Sequence, residues 1–150
     1  MVGAPGSGKS TFAKVLVEGD ANIVRVCPDE FRAKLGWGEA DQSVSAAAFE
    51  ATKNVMRTAL DEGKNVVVDA TFMYRKARRD FINIARGRGA EVIAMVCEVD
   101  KATLITRNVK RGADGGRNVP EYVIDRMLEK YEVPDETEFD KVMFVCKIKS

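Results

Sequence analysis

The stretch Gly3-Ala4-Pro5-Gly6-Ser7-Gly8-Lys9-Ser10 decides the fold of this chain. Two glycines separated by four residues are followed by a lysine and a hydroxyl residue, the pattern of a loop that wraps around phosphate groups. Its glycines let backbone N–H groups approach the phosphates, because no Cβ blocks the way. Lys9 can then reach the β- and γ-phosphates, and the Ser10 hydroxyl can bind Mg²⁺. The stretch therefore predicts a nucleotide-binding loop between a strand and a helix.

The residues on either side of this loop predict those two elements. Phe12, Val15 and Leu16 have the spacing of one helical face, which we expect to pack on the core. Before the loop stand only Met1 and Val2, whereas a central strand normally has about five residues. The first strand is therefore very short, or the chain has lost its beginning.

Four further apolar runs predict strands, and helical patterns separate them. The strands are expected at residues 22–27, 65–69, 91–99 and 141–148. The helices are expected at residues 29–35, 43–60, 75–86 and 101–111, with another that begins at Pro120. This alternation is typical of an α/β fold with a parallel sheet. We expect one domain, residues 1–150, with no internal repeat.

The composition excludes several classes of protein. A hydrophobic content of 45% and a charged content of 31% are ordinary for a soluble globular chain. No apolar run is long enough to span a membrane and no signal peptide is recognisable, so we expect a cytoplasmic protein. Cys27, Cys97 and Cys146 are far apart and odd in number, which favours buried thiols over a disulfide framework. With no histidine in the chain, acid–base chemistry falls to carboxylates, lysines or tyrosines.

Two acidic residues follow predicted strands at the edge of the sheet where α/β proteins bind ligands. Asp29 could accept a proton from an incoming hydroxyl, and Arg32 could bind an anionic part of the acceptor. Alternatively, Asp29 is the N-cap of the next helix. Asp69 has the position of the acidic residue that helps to hold Mg²⁺ in nucleotide-binding enzymes, or it is a solvated carboxylate at a strand end.

Basic residues form two clusters. Arg107, Lys110 and Arg111 lie on the predicted 101–111 helix, with Arg107 and Arg111 opposite an expected core stripe at Ile105 and Val109. The glycine-rich segment 112–117 follows, so this region predicts an arginine-bearing flap over the phosphates, or else cations that stabilise a helix C-terminus. The other cluster, residues 75–88, is either a solvated face or a surface for a polyanion.

Trp37 lies between two glycines. We expect it to close the edge of the core rather than to stack on a base.

Taken together, these segments resemble the polynucleotide 5′-hydroxyl kinase domain of phage and bacterial nucleic-acid end-repair enzymes. The similarity runs in order over nearly the whole chain. The segments that carry it are Gly-Ala-Pro-Gly-Ser-Gly-Lys-Ser-Thr (3–11), Pro-Asp-Glu-Phe-Arg (28–32), Val-Asp-Ala-Thr (68–71), Arg-Asn-Val-Lys-Arg-Gly (107–112) and Val119-Pro120. The first segment occurs in many nucleotide hydrolases, so the Asp-x-x-Arg pair and the arginine flap are the discriminating ones.

The resemblance implies a P-loop fold with a five-stranded parallel sheet in the order 2-3-1-4-5 and a small arginine-bearing lid. It also implies ATP as the phosphate donor, Mg²⁺ bound through Ser10, and 5′-hydroxyl ends of DNA or RNA as acceptors. Asp29 would be the general base, acting with Lys9 and Arg111 in catalysis, and Arg32, Asp69 and Thr71 would bind the acceptor. The implied nucleotide-binding residues are Gly3, Gly6, Ser7, Gly8, Lys9, Ser10, Thr11, Arg107 and Arg111.

The chain departs from the family pattern at Phe72, where many relatives have asparagine, which puts substrate contacts near Thr71 in doubt. It also lacks the Asp-x-Asp-Gly-Thr segment of members that carry a 3′-phosphatase, so a phosphatase or ligase would have to be a separate partner.

Two other functions stay open at this point. One is a small-molecule kinase for a nucleoside, sugar or sugar acid. The other is a nucleotide-dependent binding module, which would need no acceptor base such as Asp29.

Overall fold

The computed structural model describes residues 1–36, 38 and 42–148, so Trp37 lies outside the described residues. These residues form an α/β fold. The helices are α1 (Lys9–Gly19), α2 (Pro28–Leu35), α3 (Ser45–Asp61), α4 (Arg75–Arg86), α5 (Lys101–Ala113) and α6 (Glu121–Glu129). The strands are β1 (Ile23–Val26), β2 (Asn65–Val68), β3 (Ile93–Val99) and β4 (Lys141–Ile148). The predicted order of elements is confirmed, with small shifts at their ends.

The strands form two parallel pairs. β1 pairs with β2, and β3 pairs with β4 with one irregularity in register between Val96 and Cys97. Residues 1–3 contact both pairs, because the Met1 amine donates to the Val68 carbonyl at 2.8 Å and Val2 forms a parallel bridge with Val96. In the described part of the chain, the expected strand before the loop is therefore a single bridge.

Three apolar clusters cover the strands. The largest packs α3 and α4 on the sheet, and Phe72 contacts Phe81 there with ring centroids 5.0 Å apart. A second cluster lies under α6, where Ile124 is buried and Met127, Leu128 and Tyr131 pack beside it. A third cluster joins Met1, Ala13 and Cys97.

One expected helical face is wrong, and another is wrong at one position. On α5 the buried residues are Leu104 and Asn108, whereas Val109 is 58% exposed. On α1, Phe12 packs on the third cluster beside the buried Ala13 as expected, but Val15 is exposed. On α5 the buried Asn108 makes hydrogen bonds to Asn118 and Val119 that the apolar side chain of Val109 could not make. Hydrophobic spacing alone did not distinguish the two faces.

The basic helix α4 pairs with the acidic segment 132–140. Arg78 is buried, and its Nε and Nη2 donate to the two oxygens of Glu138 at 3.0 and 2.7 Å. Its Nη1 donates to the carbonyls of Phe72 and Glu132. Arg75 contacts Asp135, and Arg88 Nε donates to Asp61 at 2.7 Å. Much of this cluster is therefore an internal ion-pair network, which neither of the two interpretations of the sequence anticipated.

The three cysteines are free thiols, as predicted. Cys27 and Cys97 are buried, and Cys146 is partly exposed. No helix within the described ranges is both long and apolar enough to cross a membrane.

Candidate active site

The phosphate-binding loop has the geometry that its glycines predict. Gly6 and Gly8 have φ angles of 87° and 98°, a region that side chains with a Cβ rarely adopt. A Cβ on Gly6 would lie 2.8 Å from the carbonyl oxygen of Leu104, so the loop also lies too close to α5 for any larger residue. Gly8 is the N-cap of α1, which begins at Lys9. The backbone therefore curls directly into the positive end of a helix.

Lys9 lies inside this curl. Its residue is 8% exposed, and its Nζ donates to the Ala4 carbonyl across the loop at 3.0 Å. Burial lowers the pKa of Lys9 to about 8, an effect that the nearby Asp69 carboxylate opposes. A buried cation with one neutral acceptor is under-solvated. A polyanion bound in the phosphate-binding loop would stabilise the protonated form of Lys9.

Two hydroxyl residues complete the loop. Ser7 is fully buried, and its Oγ has no hydrogen-bond partner within the part of the chain that the structure describes. An orphaned buried hydroxyl in a glycine cradle fits a phosphate oxygen as its missing partner. Ser10 and Thr11 lie exposed on the first turn of α1. The Ser10 hydroxyl is therefore open to a Mg²⁺ ion carried by the nucleotide.

Asp29 lies across the sheet edge, in the first turn of α2. The N-cap of this helix is Cys27, so the alternative that Asp29 is the cap is wrong. Arg32, one turn on and buried, contacts Asp29 Oδ1. Arg117 reaches the same oxygen from the segment between α5 and α6, with Nη1 at 3.4 Å. The sequence pointed to Arg32 as an anion-binding residue but predicted neither of these contacts with Asp29.

Asp69 is buried and bonded to Arg25, so it is not a solvated strand-end carboxylate. It nevertheless lies close enough to Lys9 to raise the pKa of that lysine. Thr71, the next predicted acceptor residue, accepts a backbone hydrogen bond from Gly3 at 3.0 Å. Asp69 and Thr71 therefore lie beside the phosphate loop, as the motif order predicts.

The predicted flap is built around Asn108, which sequence reasoning did not select. This side chain is 3% exposed, and its amide donates to Asn118 Oδ1 at 2.8 Å and to the Val119 carbonyl. Its Oδ1 accepts from the Val119 N–H at 3.0 Å and from Arg111 Nη2 at 3.1 Å. Three of these four hydrogen bonds go to Asn118 and Val119, so the buried Asn108 side chain fixes the shape of the segment after α5.

The two flap arginines face the site. Arg107 Nη1 approaches the Gly6 carbonyl at 3.4 Å, and Arg111 Nε donates to the Arg117 carbonyl at 2.8 Å. Arg111 also lies near enough to Lys9 to lower the pKa of that lysine. The structure thus brings together Lys9, Arg107 and Arg111 on one side. Asp29 with Arg32 lies on the other, and Arg117 connects the two.

Comparisons with known proteins agree with this geometry. The model of the family described as AAA domain matches residues 1–134. An L-seryl-tRNA(Sec) kinase from Methanococcus maripaludis is 26% identical over 136 residues, which is 89% of this chain and 52% of that protein. The chain thus spans about half the length of this curated relative.

Two solved structures share the fold. A structure of the Pnkp1/Rnl/Hen1 RNA repair complex has a chain that superposes with a TM-score of 0.77 at 27% identity. That match covers 86% of this chain and 42% of the other. A structure from Chloroflexus aurantiacus also superposes with a TM-score of 0.77, over 97% of this chain and 81% of its own. At 21% identity, this second likeness shows the fold alone.

Proposed function

Because the chain belongs to the family described as AAA domain, with a P-loop and an arginine-bearing segment around one cleft, we propose that it is an ATP-dependent kinase. Its acceptor is the 5′-hydroxyl of a DNA or RNA end. The single observation that carries the proposal is the pairing of Asp29 with two arginines across from the buried Lys9. A nucleotide hydrolase that only switches needs no carboxylate and cations at an acceptor position.

The donor side holds the triphosphate. Lys9 binds the β- and γ-phosphates, Ser7 and the N–H groups of the loop bind their oxygens, and Arg107 and Arg111 close from α5. Ser10 would hold a Mg²⁺ ion carried by the nucleotide, and that ion would neutralise part of the phosphate charge. The transition state spreads negative charge over the transferred group. Fixed cations on several sides stabilise that charge more than they stabilise the ground state.

The acceptor side supplies the nucleophile. The oxygen of the acceptor hydroxyl bonds to the γ-phosphorus while Asp29 accepts the hydroxyl proton. The bond between the γ-phosphorus and the β–γ bridging oxygen breaks, and ADP leaves. Both arginines reach Oδ1 of Asp29, so Oδ2 is the oxygen placed to take the proton. Arg32 then binds a phosphate of the acceptor, and Thr71 lines the space between the two substrates. Asp69, buried against Arg25, supports the charge of Lys9 from behind that space.

A small-molecule acceptor is the second candidate, and one observation favours it. The ion pairs of Arg75, Arg78 and Arg88 occupy much of the helix that had suggested a polyanion surface. Against it stand two likenesses, one to an L-seryl-tRNA(Sec) kinase and one to a chain of an RNA repair complex. Both names refer to RNA, which supports a nucleic-acid acceptor over a free sugar.

Several finer features belong to the same proposal. Residues 1–150 form one kinase domain, and residues 1–3 take the central place in a five-stranded order 2-3-1-4-5. The contacts of Met1 with β2 and of Val2 with β3 support that order. The protein works in the cytoplasm, alongside a separate phosphatase or ligase that acts on the same ends.

The test is a transfer assay with γ-labelled ATP. The acceptors are an oligonucleotide with a 5′-hydroxyl, the same oligonucleotide already 5′-phosphorylated, and a panel of nucleosides, sugars and sugar acids. We expect label on the first acceptor alone among the oligonucleotides. Label on a sugar, with none on either oligonucleotide, would instead support the second candidate, a small-molecule kinase.

A further inference from the structure

The side-chain amide of Asn108 uses every hydrogen-bonding position that an asparagine has. Its Nδ2 donates to Asn118 Oδ1 at 2.8 Å and to the Val119 carbonyl. Its Oδ1 accepts from the Val119 N–H at 3.0 Å and from Arg111 Nη2 at 3.1 Å. An amide group has two donor hydrogens and two acceptor lone pairs, so these bonds fill it. A buried side chain thus joins Arg111 to the segment that follows α5.

The guanidinium of Arg111 is held at more than one place. A Cβ on Gly116 would lie 2.8 Å from Arg111 Cγ, so the chain closes tightly over the stem of this side chain. Its Nε donates to the Arg117 carbonyl at 2.8 Å, and its Nη2 donates to Asn108. Because Nε and Nη2 are both held, the plane of the guanidinium is fixed before any ligand binds.

Both of these acceptors on Arg111 are neutral. A carboxylate in the place of Asn108 would compensate the positive charge, whereas an amide oxygen orients the guanidinium and leaves its charge in place. That charge acts on the donor side, because burial lowers the pKa of Lys9 and Arg111 adds to the lowering. A fixed cation favours the transition state of phosphoryl transfer, since it needs no rearrangement as negative charge develops.

We propose that Asn108 is a positioning residue for phosphoryl transfer and acts through Arg111. The assignment rests on the proposed function, in which Arg111 binds the donor phosphates. Asn108 touches neither substrate. It sets the plane of the Arg111 guanidinium and, with the same amide, holds Asn118 and Val119, so the flap and its arginine take their positions together. Without this amide the cation is present but misdirected.

This role predicts a distinct pattern in the kinetics. In Asn108→Ala, Arg111 keeps its charge but loses one of the acceptors that fix it, so kcat should fall roughly 10- to 100-fold, as for a misplaced catalytic group. The KM of the acceptor should change little. Asn108→Asp should also be impaired, because a carboxylate forms an ion pair with Arg111 and has no N–H for the Val119 carbonyl.

The experiment is a double-mutant cycle on the full chain, measured as transfer from γ-labelled ATP to an oligonucleotide with a 5′-hydroxyl. Its variants are Asn108→Ala, Arg111→Ala and the two combined. If Asn108 acts through Arg111, the combined variant should be no slower than Arg111→Ala alone. Independent effects would multiply instead.

Thr52→Ala is the matched control. It removes a buried polar side chain from a helix, as Asn108→Ala does, but from α3 rather than the flap, where the hydroxyl donates to the Ala48 carbonyl. This control should lower the melting temperature and retain kcat. It shows how much of any loss in kcat comes from reduced stability alone.

Two results of the cycle would overturn the assignment. One is a combined variant much slower than Arg111→Ala, which would mean that Asn108 acts by another route. The other is an Asn108→Ala protein with the kcat of the wild type. Thermal melting shows whether the alanine variant is folded, and Asn108→Ser takes its place in the cycle if it is not.

Failure of the proposed function gives a different result. The wild type would then transfer no label to any oligonucleotide, and the cycle is measured by binding of ADP with and without aluminium fluoride, which resembles the group in transfer. Asn108→Ala and Arg111→Ala should reduce the preference for ADP with aluminium fluoride, and the combined variant should reduce it no further than Arg111→Ala. An Asn108→Ala protein that keeps the full preference would overturn the assignment, whatever the acceptor is.

Discussion

Arg25 holds Asp69 by donating from both Nε and Nη2 to the single oxygen Oδ2, at 3.0 and 2.6 Å. The carboxylate is buried, and Arg25 also contacts Glu30 at the start of α2. Asp69 therefore couples the end of β2 to the element that carries Asp29. Its charge also acts on Lys9, whose pKa it raises against the larger effect of burial.

Nucleotide affinity should therefore depend on pH. Burial lowers the pKa of Lys9 to about 8, so the ammonium is present below that pH and is lost above it. Binding of an ATP analogue should weaken above about pH 8, by at most about tenfold per pH unit for one ionising group. Titration calorimetry from about pH 7 to about pH 9.5 measures it.

Two variants sharpen this test. Asp69→Asn removes a charge that supports the protonated lysine, so the midpoint should move to lower pH. Lys9→Met removes the titrating group, so weak binding should stay flat across the same range. An unchanged midpoint in a folded Asp69→Asn protein would show that the carboxylate has no influence on Lys9.

Asp29→Asn should lower both phosphoryl transfer and stability, the first far more than the second. Transfer should fall roughly 10²–10⁴-fold, as expected for a lost acid–base group. The free energy of unfolding should also fall, by about 1–3 kcal/mol, because buried Arg32 loses its charged partner. Turnover and urea denaturation measure the two effects. Glu30→Gln, on the same turn, is the control and should retain turnover. Equal losses of turnover in both variants would contradict a role for Asp29 as the general base.

Arg111→Lys should be nearly as inactive as Arg111→Ala. Arginine bonds the Arg117 carbonyl through Nε and Asn108 through Nη2, and a lysine ammonium cannot reproduce that fork. We expect a fall in kcat with little change in the KM of the acceptor, measured by steady-state kinetics. Lys110→Ala should behave like the wild type. A selective rise in acceptor KM would instead assign Arg111 to the nucleic acid.

Phe72 combines a core side chain with a backbone that disfavours it. Its φ is +48°, yet its ring is buried against Phe81. Phe72→Ala and Phe72→Gly both lose the ring, at a cost of about 3–5 kcal/mol, but glycine relieves the left-handed backbone. We therefore expect Phe72→Gly to be the more stable of the two by about 1 kcal/mol. Denaturant unfolding compares them, and the reverse order would mean that the backbone is unstrained.

Arg78 should matter for stability rather than for substrate. Removing the partner of a buried ion pair costs about 3–5 kcal/mol. Arg78→Met should reach that range, because Glu138 and the carbonyls of Phe72 and Glu132 all lose their donor. Arg79→Met, on the exposed side of α4, should stay within about 0.5 kcal/mol. Chemical denaturation measures the free energy of unfolding of both variants. Similar values would contradict a buried, stabilising role for Arg78.

Motif spacing and periodicity predicted the elements and the loop because those features are local. The curl around Lys9 follows from glycines within eight residues of one another, and Asp29 and Arg32 are one helical turn apart. Asn108 and Arg117 could not be found in this way. Their partners are 10 and 88 residues distant, and an asparagine inside a helix carries no pattern of its own. The hydrophilic sequence of α4 likewise gave no sign that Arg78 is buried.

The network around Arg78 also has a consequence for the order in which the chain folds. Two of its partners, Glu132 and Glu138, lie 54 and 60 residues further along the sequence, in the segment before β4. While the ribosome is still adding those residues, the guanidinium of Arg78 has no carboxylate to meet. Helix α4 can form early, but it cannot bury its full inner face until Glu138 has left the exit tunnel.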